Sequence, residues 1–518
     1  MSLFRNVERG NPDQHPLGNP PNAKFAKSED IANAAVFRHA PGKIFLGLVN
    51  ATVTGKPEDR AAMGGTPVWV GDNRHMLTIA GTRTGKGRGA IIPNILTYEG
   101  SVLATDPKGE LATITARWRR DHMKQNVHVM DPFGVAKGQA VKSRRSFNPI
   151  RAMRNDFLVE DAALLADALV IPTEGSKDPH WDEAARSFIE GVILHVRTAL
   201  DFQTGGEPTG TLLDVRRLTS KGTVNPLDGK FSLDALQTDM VKNRAQESEN
   251  PQIKVAGEVI AYAASDFFDR PKNEKGSVLS TVRRHLKFLD YPGIADSLVE
   301  HDFDLEDLKR KKTTIYLCLP ARHISTCARW LRMFVNLTLQ VLEREPGQPV
   351  DDIPVLCCLD EFASLGRLKQ VEEAAGQMAG FGVKLWPILQ DLSQLQSLYD
   401  KRWETFMGNA GVIQFFGNND LTTLKWISER CGKTHIRTSN ERAQTAGASQ
   451  EGAASTEWKT EVHDLLQIDE AAKLFGRYDA DLRQLIIWAG FSPIILQRAY
   501  YDQHDLFSGR ADDRQTEI

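Results

Sequence analysis

The 518-residue chain is poor in cysteine. Cys318, Cys327, Cys357, Cys358 and Cys431 form no C-x-x-C pair. That usage excludes a disulfide scaffold and a thiolate zinc site and fits a reducing cytosol. Long apolar runs are missing too: none approaches the ~20 residues that cross a bilayer. The closest N-terminal candidate, Ile44 to Val53, is short and holds Gly47 and Asn50. No apolar h-region gives the first residues a signal-peptide layout. Charge of one sign is equally scarce, since the net is −3. Nucleic-acid contact must therefore come from local patches or from surfaces gathered by oligomerisation. Internal repeats are absent. A soluble cytoplasmic protein with no direct membrane span is expected.

What is present is an ordinary globular composition, and the length suggests roughly three domains. Residues 1–60 are rich in Pro, Asn and Gly early on and read as an extended polar arm. From His75 the pattern is α/β. Apolar runs at His75–Ala80, Ser101–Asp106 and Val127–Asp131 alternate with helical segments at about 85–97 and 110–122. Runs of five or six apolar residues between helices predict a mostly parallel sheet covered on both faces. From about 156 to 289 the periodicity is helical, with no convincing strand. The sheet pattern resumes at Thr313–Pro320 and continues at Pro354–Leu359, Val383–Leu389, Gly411–Phe416 and Leu485–Ala489. The expected domains are a first sheet part at 61–152, an inserted all-α domain at 153–300, a second sheet part at 301–510 and a tail at 511–518. Within the second part, 438–456 is small, polar and aperiodic, and reads as a mobile loop.

Gly81-Thr82-Arg83-Thr84-Gly85-Lys86-Gly87 lies between a strand and a helix start, the layout of a phosphate-binding loop. Its glycines let backbone N–H groups turn inward at a helix N-terminus, and Lys86 adds a point charge for the β- and γ-phosphates. Arg88 completes the nucleotide-binding set. The loop departs from the usual pattern twice, with Ala80 at the first glycine and Gly87 where a Ser or Thr hydroxyl normally meets Mg²⁺. A second element supports it: Val355-Leu356-Cys357-Cys358-Leu359-Asp360-Glu361 is a buried strand ending in two carboxylates. Asp360 is expected to hold Mg²⁺, directly or through water, and Glu361 to polarise the attacking water. Gln390, ending the next strand, either senses the γ-phosphate or belongs to a plain helix start led by Asp391. Asp106 either reaches a pocket at its strand end or caps a helix. Basic clusters at 117–120, 142–145, 283–287 and 309–312 are solvated faces or, in a ring, candidates for a positive pore lining.

Together with Ile92-Pro93, Asp106-Pro107-Lys108-Gly109-Glu110, His180-Trp181-Asp182-Glu183-Ala184-Ala185-Arg186, Phe362-Ala363-Ser364-Leu365-Gly366, Gln390-Asp391-Leu392-Ser393-Gln394-Leu395 and Asn418-Asn419-Asp420, these motifs resemble the coupling proteins of type IV secretion and conjugation. The resemblance runs in order from about residue 65 to 505. It implies a RecA-like P-loop ATPase domain interrupted by an all-α domain, a hexameric ring, and ATP with Mg²⁺ as cofactors. It also implies DNA, single-stranded or relaxase-bound, as substrate, with relaxase or effector proteins and channel subunits as partners. A ring ATPase is expected to use an arginine finger, for which Arg367, Arg402 and Arg83 are candidates. Typical members begin with transmembrane helices, and here the polar 1–60 arm stands in their place, so docking at the inner membrane is expected to be peripheral and through partners. The leading function is an ATP-hydrolysing coupling protein that drives substrates to a secretion channel. The alternatives are a non-motor receptor that uses nucleotide for ring assembly and a soluble DNA translocase or helicase-like ATPase.

Overall fold

A computed structural model describes residues 22–56, 59–171, 180–204, 209–440 and 457–513. Eleven strands matter for the site: β1 Ile44–Val49, β2 Thr66–Val70, β3 His75–Ala80, β4 Val102–Asp106, β5 Asn126–Met130, β6 Thr313–Cys318, β7 Val355–Leu359, β8 Val383–Leu389, β9 Ala410–Phe416, β10 Arg483–Trp488 and β11 Ile494–Gln497. Contacts divide the chain into two compact units, Met1–Asn94 with Ile388–Ser508, and Ile95–Pro387 with Gly509–Ile518.

In the second unit the strand order is β8–β7–β4–β6–β5, and every ladder is parallel. β4, β6 and β7 are buried along their whole length. That is the consequence of unbroken apolar runs with helices on both faces. In the first unit the order is β2–β1–β11–β10–β9–β3, and the last two residues of β8 pair with β3. There β3 is parallel to β9, whereas β9–β10, β10–β11, β11–β1 and β1–β2 are antiparallel. The α/β class with a mostly parallel sheet is as the sequence indicated.

The 1–60 arm requires correction. Residues 1–21 lie outside the described residues, but β1 is wholly buried and paired on both edges. Its apolar run Ile44-Phe45-Leu46 is long enough to stay in the sheet despite Gly47, where the register with β2 shifts. Among the described residues between 155 and 296 the regular elements are helices, apart from a hairpin of two-residue strands, Thr223–Val224 with Phe231–Ser232. Its caps follow local chemistry: Thr211 and Asp214 form a reciprocal capping box, and Asn250 caps a helix whose first residue is Pro251. The stacked rings of Phe188 and Phe267, 3.9 Å apart, sit in its core. Residues 438–440, expected in the loop, instead end an antiparallel ribbon of Lys433–Asn440 with Glu457–Asp464, and 441–456 lie outside the described residues. No helix among the described residues is long and apolar enough to cross a membrane.

Candidate functional site

In the first unit, β3 is buried from end to end and delivers the chain to Gly81. A Cβ there would meet the Gly417 carbonyl oxygen at 2.0 Å, so only glycine fits at this close approach of loop and β9 end. Thr84 Oγ1 donates to the Gly81 carbonyl at 2.6 Å, closing the loop on itself. Arg83 (φ 57°) and Gly85 (φ 82°) both take left-handed conformations. Such alternation turns successive N–H groups to one side and makes an anion nest. Gly85 adopts it freely, while Arg83 does so at a cost of about 1 kcal/mol. The helix after the loop opens with one wide turn, Gly87–Ile91, in which the Ile92 N–H donates to the Gly87 carbonyl. Pro93 explains it, because proline has no N–H to close an ordinary α-turn there.

The loop borders a cavity of about 760 Å³ lined by Gly81, Thr82, Thr84, Gln390, Asn418 and the segment 472–480. This is a size suited to a small-molecule ligand. Thr82 Oγ1 donates to Gln390 Oε1 at 2.8 Å, and Asn418 Nδ2 donates to the Gln390 carbonyl at 3.2 Å. Asp391 caps the following helix by accepting from the Gln394 N–H. Asp391 thus caps the helix, and Gln390 is hydrogen-bonded to the loop. Arg88 does not join the cavity lining. Its guanidinium pairs with Asp502 at 2.7 Å and lies over the Tyr500 ring at 4.3 Å.

In the second unit, β7 ends at Asp360. Thr105 Oγ1 donates to the Asp360 carbonyl at 2.9 Å, and the Glu361 N–H donates to Asp360 Oδ1 at 3.0 Å. Glu361 is left-handed at φ 51°. A strained backbone at an acidic strand end is the kind of feature that clusters at functional sites. Asp106 resolves toward its blander alternative. It is 1% exposed, and its carboxylate accepts from the Ala112 N–H at 2.9 Å, capping the helix Glu110–Arg117. Burial, with the nearby Asp360 charge as a smaller contribution, pushes its pKa up to about 7. Among the described residues no group of three or more His, Cys, Asp or Glu side chains forms a metal cage. The carboxylate of Asp360 nonetheless fits Mg²⁺, which takes one or two carboxylates and completes its shell with phosphate and water.

Arg367 is about half exposed and pairs with the buried carboxylate of Glu372 at 3.2 Å. Several cations of the basic clusters are paired within the chain. Arg117 pairs with Asp512, Arg144 with Asp131, Arg284 with Asp182 and Arg310 with Glu345. Arg119 is fully buried, and Lys309 donates to the carbonyls of Leu342 and Glu345. Two residues at the loop had escaped sequence reasoning. Arg498 Nη1 donates to the Thr84 carbonyl at 2.6 Å, and Tyr500 packs against Gly85 and Gly89. No local signal marks them, since they lie more than 400 positions downstream.

A family profile described as "Type IV secretory system Conjugative DNA transfer" matches residues 24–516. A conjugal transfer protein TraG of Escherichia coli is 28% identical, over 94% of this chain and 77% of its own length. Protein VirD4 of Agrobacterium fabrum is 29% identical over 70% of this chain, and the aligned region is about half of that protein (50%). Among solved structures, the bacterial conjugative coupling protein TrwB in complex with sulphate superposes with a TM-score of 0.61 at 16% identity, covering 94% of this chain and 97% of that one. TrwB in complex with ADP and Mg²⁺ gives 0.56, also at 16% identity, covering 90% of this chain and 96% of that one. At that identity the likeness establishes the fold.

Proposed function

Since the chain belongs to the type IV secretory system conjugative DNA transfer family, we propose that it is an ATP-hydrolysing coupling protein that moves DNA or nucleoprotein to a secretion channel. The observation that carries the reading is the phosphate loop, with its forced glycine at 81, its left-handed Arg83 and Gly85, and Gln390 hydrogen-bonded to Thr82. The N–H groups of the nest bind the polyphosphate, and Lys86 neutralises its terminal oxygens. Asp360 would hold Mg²⁺, which supplies charge neutralisation on the β- and γ-phosphates. Glu361 polarises the attacking water. Gln390 exchanges its bond to Thr82 for one to the γ-phosphate or the water, and so reports which nucleotide is bound. Arg367 is the candidate for a finger acting on a neighbouring subunit, and its ion pair with Glu372 would have to open first. Complexes of TrwB with an ATP analogue and with ADP and Mg²⁺ support nucleotide binding of this kind here. The working form is taken to be a hexameric ring that receives single-stranded or relaxase-bound DNA and docks peripherally on channel subunits.

The test is ATP hydrolysis with and without DNA, beside mass measurement in the same conditions. DNA should stimulate turnover, ATP should promote the ring, and Lys86→Ala should lower hydrolysis more than ~100-fold with the fold intact. Normal turnover by that variant would sink the assignment. Nucleotide-dependent assembly with no DNA-stimulated turnover would favour a receptor over a motor.

A further inference from the structure

Arg498 is 1% exposed and has no carboxylate among its hydrogen-bond partners. Its Nε donates to the Leu482 carbonyl at 3.2 Å, Nη1 donates to the Thr84 carbonyl at 2.6 Å, and the guanidinium lies 5.0 Å from the Phe416 ring centre. Nη2 is buried with no hydrogen-bond partner. A buried cation with an unmet donor is costly, and the nearby Tyr500 and Asp479 offset only part of that cost. Burial also lowers the pKa of this guanidinium below that of an ordinary arginine.

The contact to Thr84 has a covalent consequence. The peptide unit is planar and trans, so its C=O and N–H point in opposite directions. Holding the Thr84 carbonyl against Arg498 therefore aims the Gly85 N–H away from it, to the opposite side of the loop. The same segment grips the loop twice more. The Tyr501 N–H donates to the Arg88 carbonyl at 3.2 Å, and Asp502 takes the Arg88 guanidinium.

We infer that Arg498 is a positioning residue for the polyphosphate: it orients the phosphate loop from behind and supplies a buried positive charge that favours ligands in proportion to their negative charge. This rests on the nucleotide-binding reading above and adds a residue outside the loop to it. A merely structural role would weaken all ligands alike, whereas a charge grades its effect with theirs.

The experiment measures binding of ATP, ADP and AMP by calorimetry to the wild type, Arg498→Lys and Arg498→Gln, with melting temperatures alongside. Gln keeps N–H donors for the Thr84 carbonyl and loses the charge; Lys keeps the charge and loses the fork. Arg498→Gln should lose roughly tenfold in ATP affinity, less in ADP and least in AMP, and Arg498→Lys should stay within about threefold of wild type for all of them. An equal loss for the three nucleotides, or a Lys variant as impaired as Gln, overturns the inference while wild-type binding leaves the nucleotide reading standing. Should Arg498→Gln fail to fold, the Lys variant decides, since a loss beyond threefold for ATP overturns the proposal. No binding by the wild type overturns both.

Discussion

Two buried arginines, one in each unit, make opposite use of the same side chain. Arg119 in the second unit is fully satisfied. It donates to Thr314 Oγ1, to the carbonyls of Ile95, Tyr98 and Gly100, and to Gln125 Oε1, at 2.5–3.0 Å. Burial lowers its pKa to about 10. Arg498 in the first unit has acceptors for two nitrogens and none for the third. A satisfied buried charge ties elements together, whereas an unsatisfied one is costly until a partner compensates it. The contrast breaks most visibly through stability. Arg119→Met leaves several buried carbonyls without donors and should cost about 3–5 kcal/mol in a urea titration. A loss below ~1 kcal/mol would remove the distinction between the two arginines.

The units also differ in how they should respond to acid. His128, His195 and His285 all lie in the second unit, and burial, the largest cause for each, lowers their pKa to about 4. His285 is wedged between Asp182 at 2.9 Å and Arg329 at 3.0 Å. In the unfolded chain these rings titrate near 6.5. Their contribution is thus complete above pH 6.5 and is lost as pH falls toward 4, on the order of 1–3 kcal/mol each. Asp106, whose raised pKa adds stability to the same unit as pH falls below about 7, offsets one of these losses. The net of the three rings and Asp106 is still a loss, so between pH 7 and 5 hydrogen exchange should rise first among residues 95–387. Equal protection of both units at pH 5 would contradict the assignment.

How legible each part was in the sequence follows the same division. β3, β4, β6, β7 and β8 were readable because each is a mostly apolar run between helical segments, and their bounds move by two residues at most. β1 and β11 were not, because they are short antiparallel strands, one of them interrupted by Gly47, and they pair with each other across more than 400 residues of chain. The phosphate loop and the Asp360–Glu361 pair were visible because local backbone and strand-end chemistry define them. Arg119 within Arg117-Trp118-Arg119-Arg120 looked like a solvated charge, since its acceptors include Thr314, far along the chain. Long-range satisfaction of a charge leaves no periodic trace, so Arg119 and Arg498 were both unreadable for one physical reason.

The finest test of the contrast between fixed and open positions lies inside the loop. Gly81 is locked by the Gly417 carbonyl, yet a Cβ on Gly87 would meet nothing within 4 Å. The missing hydroxyl at 87 is therefore a matter of chemistry and not of space. Gly87→Ser enters a helical turn that serine tolerates better than glycine, so stability should rise by at most about 0.5 kcal/mol. Its hydroxyl offers Mg²⁺ an oxygen that the wild-type loop does not. The Mg²⁺ concentration for half-maximal ATP binding should fall about two- to threefold, with ATP-free melting nearly unchanged. A clear loss of stability would mean that position 87 is as constrained as 81. An unchanged Mg²⁺ requirement would mean that the ion's shell is completed without any group at that position.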